Sequence, residues 1–376
     1  MAASSVSAMA SVCTDAPKRW INTSESATWK CPSSYGVKYG CCRHDFRDAQ
    51  LATCDGKVRS ITSIAELLRG KTISLVGDSV MDQQYLEWSY ELTDQSDAAH
   101  AHEVLKTAAL SKFARAEHLC AMLKAQLPDK STHFPRWNIT LNFYMFEYEY
   151  IWWLWSGPLA SKSARAQQCN SSWHTWHKSA QPRFLDGPYE DSFFNSTHPP
   201  PVKDVNLGRL ENVLRNTDDV VIASCGVHWN LCDWNSSSCN GSHYQRAVRS
   251  VLQMVAERDA RRGSAAAFYR MVLPQHFINQ DRTGDWQGVR GQCQKNHAKS
   301  WRTRIEEQLM GELRFASRLV VNQHGMLMDR PDAHHFASPR LIGDCTHYCF
   351  APNFAAGLYD PTVRVLQNEL VRRLYL

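Results

Sequence analysis

The stretch Lys71-Thr-Ile-Ser-Leu-Val-Gly-Asp-Ser79 and the helical pattern after it decide the fold. Residues 71–76 form a short, β-branched apolar run that is typical of a buried strand. Residues 80–92 place apolar side chains at helical spacing, so the chain changes from strand to helix at Ser79. A serine in that position lies at a helix N-terminus, where free backbone N–H groups can stabilise a developing oxyanion. Because Gly-Asp-Ser is also common in turns, a purely structural role stays open.

The alternation of helix and strand continues along the second half of the chain. Strands are predicted at 219–224, 268–273 and 318–322, and helices at about 206–216, 243–262, 300–313 and 361–375. Such repetition favours an α/β fold with a mostly parallel sheet that is covered by helices on both faces. Reactive groups in such sheets collect at the carboxyl ends of the strands.

The first half of the chain is less regular. We interpret residues 1–60 as an irregular, cysteine-rich lead-in and residues 61–376 as the domain that carries the site. Within that domain the pattern predicts a short helix over 63–70, an amphipathic helix over 101–126, strands within 138–155, and a long loop or insertion over 156–204.

Candidate partners for the serine lie near the other end, in Asp344-Cys-Thr-His347. At this spacing Asp344 can orient the imidazole of His347, whose other ring nitrogen then faces Ser79. Each motif is weak alone, because a histidine in a chain with 16 of them is more often structural. Together they predict the Ser-His-Asp chemistry of a serine esterase or acyltransferase, which needs neither a metal nor a bound cofactor.

Composition narrows the function further. The 376 residues suffice for one large α/β domain or two small ones, and the net charge of +5 is spread without a Lys/Arg run. Nucleic-acid binding therefore has little support. No stretch approaches 18 apolar residues, so we expect no transmembrane segment in this chain.

Cysteines and glycosylation signals indicate the secretory pathway. The 13 cysteines lack the paired spacings of a zinc site, so disulfides are expected, with at least one thiol left over. Asn-x-Ser/Thr sequons occur at Asn22, Asn138, Asn170, Asn195, Asn235 and Asn240. We therefore expect passage through the secretory pathway, to a lumen or the extracellular space. Residues 1–13 lack the basic start and apolar core of a signal peptide, so we expect that a targeting segment is missing from this sequence.

With these segments in view, the chain resembles the trichome birefringence-like / PC-esterase family, a branch of the SGNH (GDSL-type) hydrolase superfamily. Ordered segments over about residues 65–355 carry the resemblance: Leu67 to Ser79, Gly226-Val-His228-Trp229, Pro274-Gln-His276-Phe277 followed by Asp285-Trp286 and Gly291-Gln-Cys293, and Asp344-Cys-Thr-His-Tyr-Cys349.

The resemblance implies an SGNH-like three-layer α/β/α domain and the chemistry of the plant members, which are Golgi polysaccharide O-acetyltransferases. Ser79 would be the nucleophile, His347 the general base and then acid, and Asp344 the group that orients it. The acetyl donor would be a co-substrate of unknown identity, and the acceptor a carbohydrate hydroxyl. With water as acceptor the same triad gives a carbohydrate acetylesterase. A non-catalytic carbohydrate-binding protein is a third alternative, which the intact triad disfavours.

Further roles follow from the same resemblance. The N–H groups of Ser79 and Gly226 would form the oxyanion hole, since glycine lets the backbone approach closely. His228 is either a site contact or a core hydrogen-bonding residue. Trp229 and Trp286 could line the acceptor groove, although single aromatic residues more often serve packing.

The resemblance also suggests a Cys293–Cys345 disulfide beside the proposed base. We expect His276 to be structural. This chain departs from the family where plant members commonly have Arg-Asn-Gln after the serine, since residues 81–84 are Met-Asp-Gln-Gln here. Tyr348 replaces a tryptophan in the closing segment. The identity of the acceptor is therefore not carried over.

Overall fold

The structure, a computed structural model, describes residues 19–22, 49–52, 57–93, 128, 130–145, 213, 219–227, 229, 241–261, 265–285, 293–334, 345–349 and 352–375. Within these residues the strands are β1 (Arg19–Asn22), β2 (Ala49–Ala52), β3 (Thr72–Gly77), β4 (Lys130–Phe134), β5 (Ile139–Met145), β6 (Val220–Ala223), β7 (Ala266–Arg270) and β8 (Val320–Val321). The α-helices are α1 (Ser79–Leu92), α2 (Ser242–Ala260), α3 (Trp301–Glu312), α4 (His324–Leu327) and α5 (Pro352–Leu374).

A six-stranded sheet in the order β4-β5-β3-β6-β7-β8 forms the centre of the fold. β5, β3, β6, β7 and β8 run parallel, and β4 is antiparallel to β5. The predicted α/β class with a mostly parallel sheet is therefore confirmed. The connection after β3 leads to β4 and β5 on one side, and the connection after β6 leads to β7 on the other side, so a topological switch point lies between β3 and β6. Ligands of open α/β sheets bind in the crevice at such a point.

The strand that precedes Ser79 is central and buried. β3 pairs in parallel with β5 on one side and β6 on the other, and its residues from Ile73 to Gly77 are buried. The β-branched apolar run that predicted this strand is what a doubly covered parallel strand requires. The predicted strand-to-helix change at Ser79 is confirmed, because α1 begins at that residue.

Several elements differ from the sequence prediction. The helix expected over 63–70 is a 3-10 helix, Ile61–Ile64, followed by turns that end at Gly70, whose φ is +76°. In the lead-in, predicted to be irregular, β1 and β2 pair in antiparallel fashion. The helix predicted over 101–126 and the loop predicted over 156–204 lie outside the described residues, as does the helix at 206–216 apart from Val213.

The last helix begins at Pro352, nine residues before the predicted start at Pro361. Proline is frequent in the first turn of a helix, which made Pro361 resemble a helix start. In the structure Pro361 lies inside α5, where its ring removes one backbone donor. The side-chain amide of Gln323 donates to the carbonyl of Leu358 and so supplies a hydrogen bond to this part of the helix.

Two apolar clusters hold the described part of the fold together. The larger one surrounds the sheet. The smaller one joins Val80 at the start of α1, Val227 after β6, Val272 after β7, and Tyr348 beside Phe354 at the start of α5. It therefore packs together the segments that surround the candidate site.

Two of the six predicted glycosylation sites lie within the described residues. Asn138 is exposed in the turn between β4 and β5, and Asn22 is the last residue of β1. The remaining four, Asn170, Asn195, Asn235 and Asn240, lie outside the described residues. Among the helices that the structure describes, none combines the length and the apolar character needed to cross a membrane.

Candidate active site

Ser79 is held at the start of α1 by the residue before it. Asp78 is the N-cap, and its Oδ1 accepts hydrogen bonds from the N–H groups of Val80 at 3.0 Å and Met81 at 3.4 Å. Its Oδ2 accepts the N–H of Val227 at 2.8 Å. Asp78 is thus a buried structural carboxylate that caps the helix of Ser79 and ties it to the segment after β6.

The glycine of that segment fits closely against the same carboxylate. Gly226 has a φ of +75°, and an added Cβ would lie 2.7 Å from Asp78 Oδ2. Glycine alone satisfies both the backbone conformation and the space. Its N–H points to Ser224 Oγ at 3.3 Å, so a structural reason for this glycine exists beside the predicted oxyanion role, which stays a prediction.

Ser79 and His347 are brought together although 268 residues separate them. His347 Nε2 lies 2.7 Å from Ser79 Oγ, within hydrogen-bonding distance. Both side chains are partly exposed. An imidazole nitrogen in that position can accept the hydroxyl proton as the oxygen attacks a carbonyl carbon, which is the arrangement of a nucleophile and its general base. The structure thus joins the two sequence motifs.

Gln83, one helical turn beyond Ser79 on α1, holds the turn that carries the imidazole. Its Nε2 donates to the carbonyl of Tyr348 at 2.7 Å, and its Oε1 accepts the N–H of Tyr348 at 3.1 Å. Ser79 and His347 therefore depend on the same helix for their positions. In the sequence Gln83 differs from the family pattern, and the signal for its role is that a polar residue four positions after the serine shares its helix face.

The other side of the turn is held by the segment after β7. Gln275 Nε2 donates to Thr346 Oγ1 at 2.9 Å, and the N–H of His276 donates to the carbonyl of Cys345 at 2.9 Å. Cys345 also forms the disulfide with Cys293 that the resemblance suggested, which is confirmed. The N–H of Cys349, itself disulfide-bonded, donates to the carbonyl of Ala333 at 2.8 Å.

Asp82 and Gln84, the residues on either side of Gln83, bond to two different strands. Asp82 pairs with Lys130 of β4, Oδ1 to Nζ 2.5 Å, and both side chains are largely buried. Gln84 Oε1 accepts a hydrogen bond from the buried guanidinium of Arg270 at 2.6 Å. The residues that depart from the family pattern thus connect α1 to two strands of the sheet.

A buried ion pair, Arg302 with Asp285, lies beside the segments that follow β6 and β7. Arg302 Nη1 lies 2.6 Å from Asp285 Oδ1, and Arg302 Nη2 donates to the carbonyl of Trp229 at 2.9 Å. The same Nη1 is 3.4 Å from the amide oxygen of Gln275. Burial raises the pKa of Asp285, and the nearby Arg302 opposes that rise. Arg302 therefore contacts the segment after β6 through Trp229. Through Gln275 it also supports the turn at residues 345–349, the His347 turn.

Of the remaining predicted site residues, the structure describes only Trp229. Asp344, His228 and Trp286 lie outside the described residues, so their roles stay predictions. The indole of Trp229 is buried, donates to the carbonyl of Cys225 at 2.6 Å, and meets the ring of Tyr244 edge to face. These contacts favour the packing alternative for Trp229 over a place in the acceptor groove. Of the described cysteines, Cys225 is a free, buried thiol.

The fold and the site together define an α/β protein with a hydrogen-bonded serine–histidine pair at the carboxyl edge of its parallel sheet. No model of a protein family matches this chain, and no sequence among the curated proteins matches it. Among the described residues, no group of three or more His, Cys, Asp or Glu side chains is placed to bind a metal ion.

Proposed function

We propose that this chain is a serine-dependent O-acyltransferase of the SGNH type that transfers acetyl to carbohydrate hydroxyls. The observation that carries the proposal is the 2.7 Å contact between Ser79 Oγ and His347 Nε2 at the switch point of a parallel sheet. Ser79 is the first residue of α1, so its own N–H and the positive end of the helix dipole can stabilise an oxyanion, whereas the N–H groups of Val80 and Met81 are bonded to Asp78. The resemblance to the trichome birefringence-like / PC-esterase family supplies the substrate class, acetyl and a polysaccharide acceptor.

In the proposed reaction Ser79 Oγ attacks the acetyl carbonyl while His347 Nε2 takes the hydroxyl proton. The donor's leaving group departs with that proton, and the acetyl group stays on the serine. The acceptor hydroxyl then gives its proton to His347 and attacks the acyl carbonyl. As the bond from the acyl carbon to Ser79 Oγ breaks, His347 returns the proton to that oxygen, which restores the starting state. Asp344 would hold the imidazole in the tautomer that leaves Nε2 free to accept a proton.

A carbohydrate acetylesterase is the second candidate. Ser79 and His347 are both partly exposed, so water can reach the acyl-serine, and water as acceptor makes the reaction a hydrolysis. The two functions share every residue described above and differ only in the acceptor.

The test is intact-mass labelling of the full chain with a fluorophosphonate probe. Ser79→Ala and His347→Ala should abolish the single adduct, whereas Ser63→Ala and His297→Ala, which change an exposed serine and an exposed histidine, should retain it. Folded wild-type protein without an adduct would contradict the proposal and favour a carbohydrate-binding protein.

Unlabelled protein is incubated in parallel with p-nitrophenyl acetate, with and without oligosaccharides. Acetylated sugar identifies a transferase, and free acetate alone identifies an esterase. Ser79→Ala is the control for acetyl transfer that does not involve the enzyme.

A further inference from the structure

Two buried histidines form a chain of contacts beneath the His347 turn. His276 follows β7, His334 follows the 3-10 helix Pro331–Ala333, and both are fully buried. His276 Nδ1 lies 2.6 Å from His334 Nε2. The outer nitrogens face backbone carbonyls, His276 Nε2 that of Met328 at 3.2 Å and His334 Nδ1 that of His347 at 2.8 Å.

Counting protons along this chain gives the charge of the pair. A carbonyl oxygen only accepts, so each outer nitrogen must carry a hydrogen. One of the two inner nitrogens must also carry one, since two lone pairs facing each other at 2.6 Å would repel. Three ring protons on two imidazoles exceed the neutral count by one, because a neutral imidazole has a single N–H. The pair therefore holds one positive charge.

The surroundings place that charge on His334. Burial lowers the pKa of His276 to about 4, which makes His276 the neutral partner that accepts at Nδ1. The ring of His334 stacks on Tyr348, with centroids 4.6 Å apart, and an aromatic face favours a cation above it. Burial raises the pKa of the Tyr348 hydroxyl well above its ordinary value, and that hydroxyl donates to the carbonyl of Pro274.

Two further ionisable groups, Asp332 and His324, act on His276. Asp332 raises the pKa of His276, and His324 lowers it. Asp332 also pairs with Arg330, Oδ1 to Nε 2.9 Å, and the Arg330 guanidinium lies over the ring of Phe354. Burial lowers the pKa of His324 to about 4, so this histidine is neutral near neutral pH.

We propose that His276 and His334 are positioning residues that share three ring protons and hold the backbone carbonyl of His347 through the outer N–H of His334. The inference rests on the proposed function. When the third proton leaves, two lone pairs face each other at the inner contact, the contact opens, and the ring that holds the His347 carbonyl moves with it. Activity of Ser79 therefore depends on the charge of a pair that touches neither the serine nor its substrate.

The first test counts the protons directly. In the full chain labelled with ¹⁵N-histidine, NMR near neutral pH should show three ring N–H protons for the pair, with assignments from His276→Asn and His334→Asn. Two such protons would overturn the charged pair. This readout does not depend on catalysis.

The second test follows fluorophosphonate labelling of Ser79 against pH. His334→Leu removes the donor and should slow labelling at least about tenfold, since small misplacements of a catalytic group are costly. His334→Asn places an amide N–H near the position of Nδ1 and should recover most of the rate. Wild-type labelling should decline at the alkaline pH where NMR shows the third proton leaving, and that decline should be absent in His334→Asn.

The exposed His297→Asn variant is the matched control and should retain the wild-type pH profile. An alkaline decline that persists in His334→Asn would overturn the positioning role, even if His334→Leu fails to fold. A folded wild type that has three pair protons but no labelling at any pH would overturn the proposed function and the positioning role with it, while the charged pair would stand.

Discussion

At the scale of single residues, Gln83 is the clearest test of how His347 is held. Its side chain makes two hydrogen bonds to the backbone of buried Tyr348, next to His347. Gln83→Met keeps the volume but leaves a buried N–H and a buried carbonyl without these partners, at about 1–3 kcal/mol for each group. We expect lower stability in urea and slower fluorophosphonate labelling of Ser79. Gln253→Met, at an exposed position on α2, should change neither quantity. Unchanged labelling in folded Gln83→Met would show that the turn does not need this support.

Gly226 allows a second test at this scale. In Gly226→Ala the new methyl group would meet the Asp78 carboxylate at 2.7 Å, in a backbone conformation with φ +75°. The left-handed conformation alone costs an L-residue about 1–2 kcal/mol, and the close contact adds to that. Gly311→Ala is the matched control, since it lies in α3 with nothing within 4 Å of the added Cβ, and we expect it to be neutral or slightly stabilising. Equal unfolding midpoints in urea for the two variants would contradict the close fit at Gly226.

Sequence reasoning reached Ser79 and His347 because each belongs to a recognisable local motif. Gln83 and His334 belong to none, because their roles consist of hydrogen bonds to backbone groups that are distant in the chain. Such contacts are set by tertiary packing, and a single sequence does not show which backbone carbonyl a buried side chain will meet. His276 was predicted to be structural, and its contact with His334 gives that role a definite partner.

At the scale of elements, α1 carries a buried acid whose titration should affect stability. Burial, together with the nearby Glu91, raises the pKa of Glu87 to about 8. An unfolded chain releases this proton near the ordinary value of a glutamic acid, so between that value and about pH 8 the folded state binds more protons. Stability should therefore fall as the pH rises through this window.

Glu87→Gln stays neutral and removes this dependence. The free energy of unfolding is measured in urea at about pH 5 and about pH 8 for both proteins. The difference between variant and wild type should shift in favour of the variant by on the order of 3 kcal/mol from the lower to the higher pH. Glu257→Gln, at an exposed position on α2, should follow the wild-type pH dependence. If the free energies of unfolding of Glu87→Gln and wild type differ by the same amount at both pH values, Glu87 does not titrate in this range.

Elements were predicted best where burial and periodicity agreed. The parallel strands β3 and β6 are short apolar runs and were found close to their predicted positions. β4, Lys-Ser-Thr-His-Phe, was not predicted, because an edge strand alternates between exposed and buried positions and has few apolar residues. The early start of α5 was missed because Pro361 resembles a helix start, and only the surrounding packing shows that the helix continues through it.

At the scale of the whole molecule, the candidate site depends on how distant parts of the chain are fastened together. The Cys293–Cys345 disulfide closes a separation of 52 residues and ends two positions before His347. In the chain-entropy description, a cross-link of this span stabilises the fold by about 4 kcal/mol. The double variant Cys293→Ala/Cys345→Ala avoids a new unpaired thiol and should lose stability of this size in urea unfolding.

The same variant separates stability from catalysis. Gln83, Gln275 and the disulfide-bonded Cys349 still hold the turn, so the folded fraction should keep the Ser79–His347 contact in part and label more slowly than wild type. Cys225→Ala removes a buried thiol that is not cross-linked and should leave the labelling rate unchanged. If the double variant loses stability but labels at the full rate, the disulfide stabilises the domain without positioning the base. If it labels slowly, the cross-link between the segment before α3 and the His347 turn is part of what keeps the imidazole within reach of the serine.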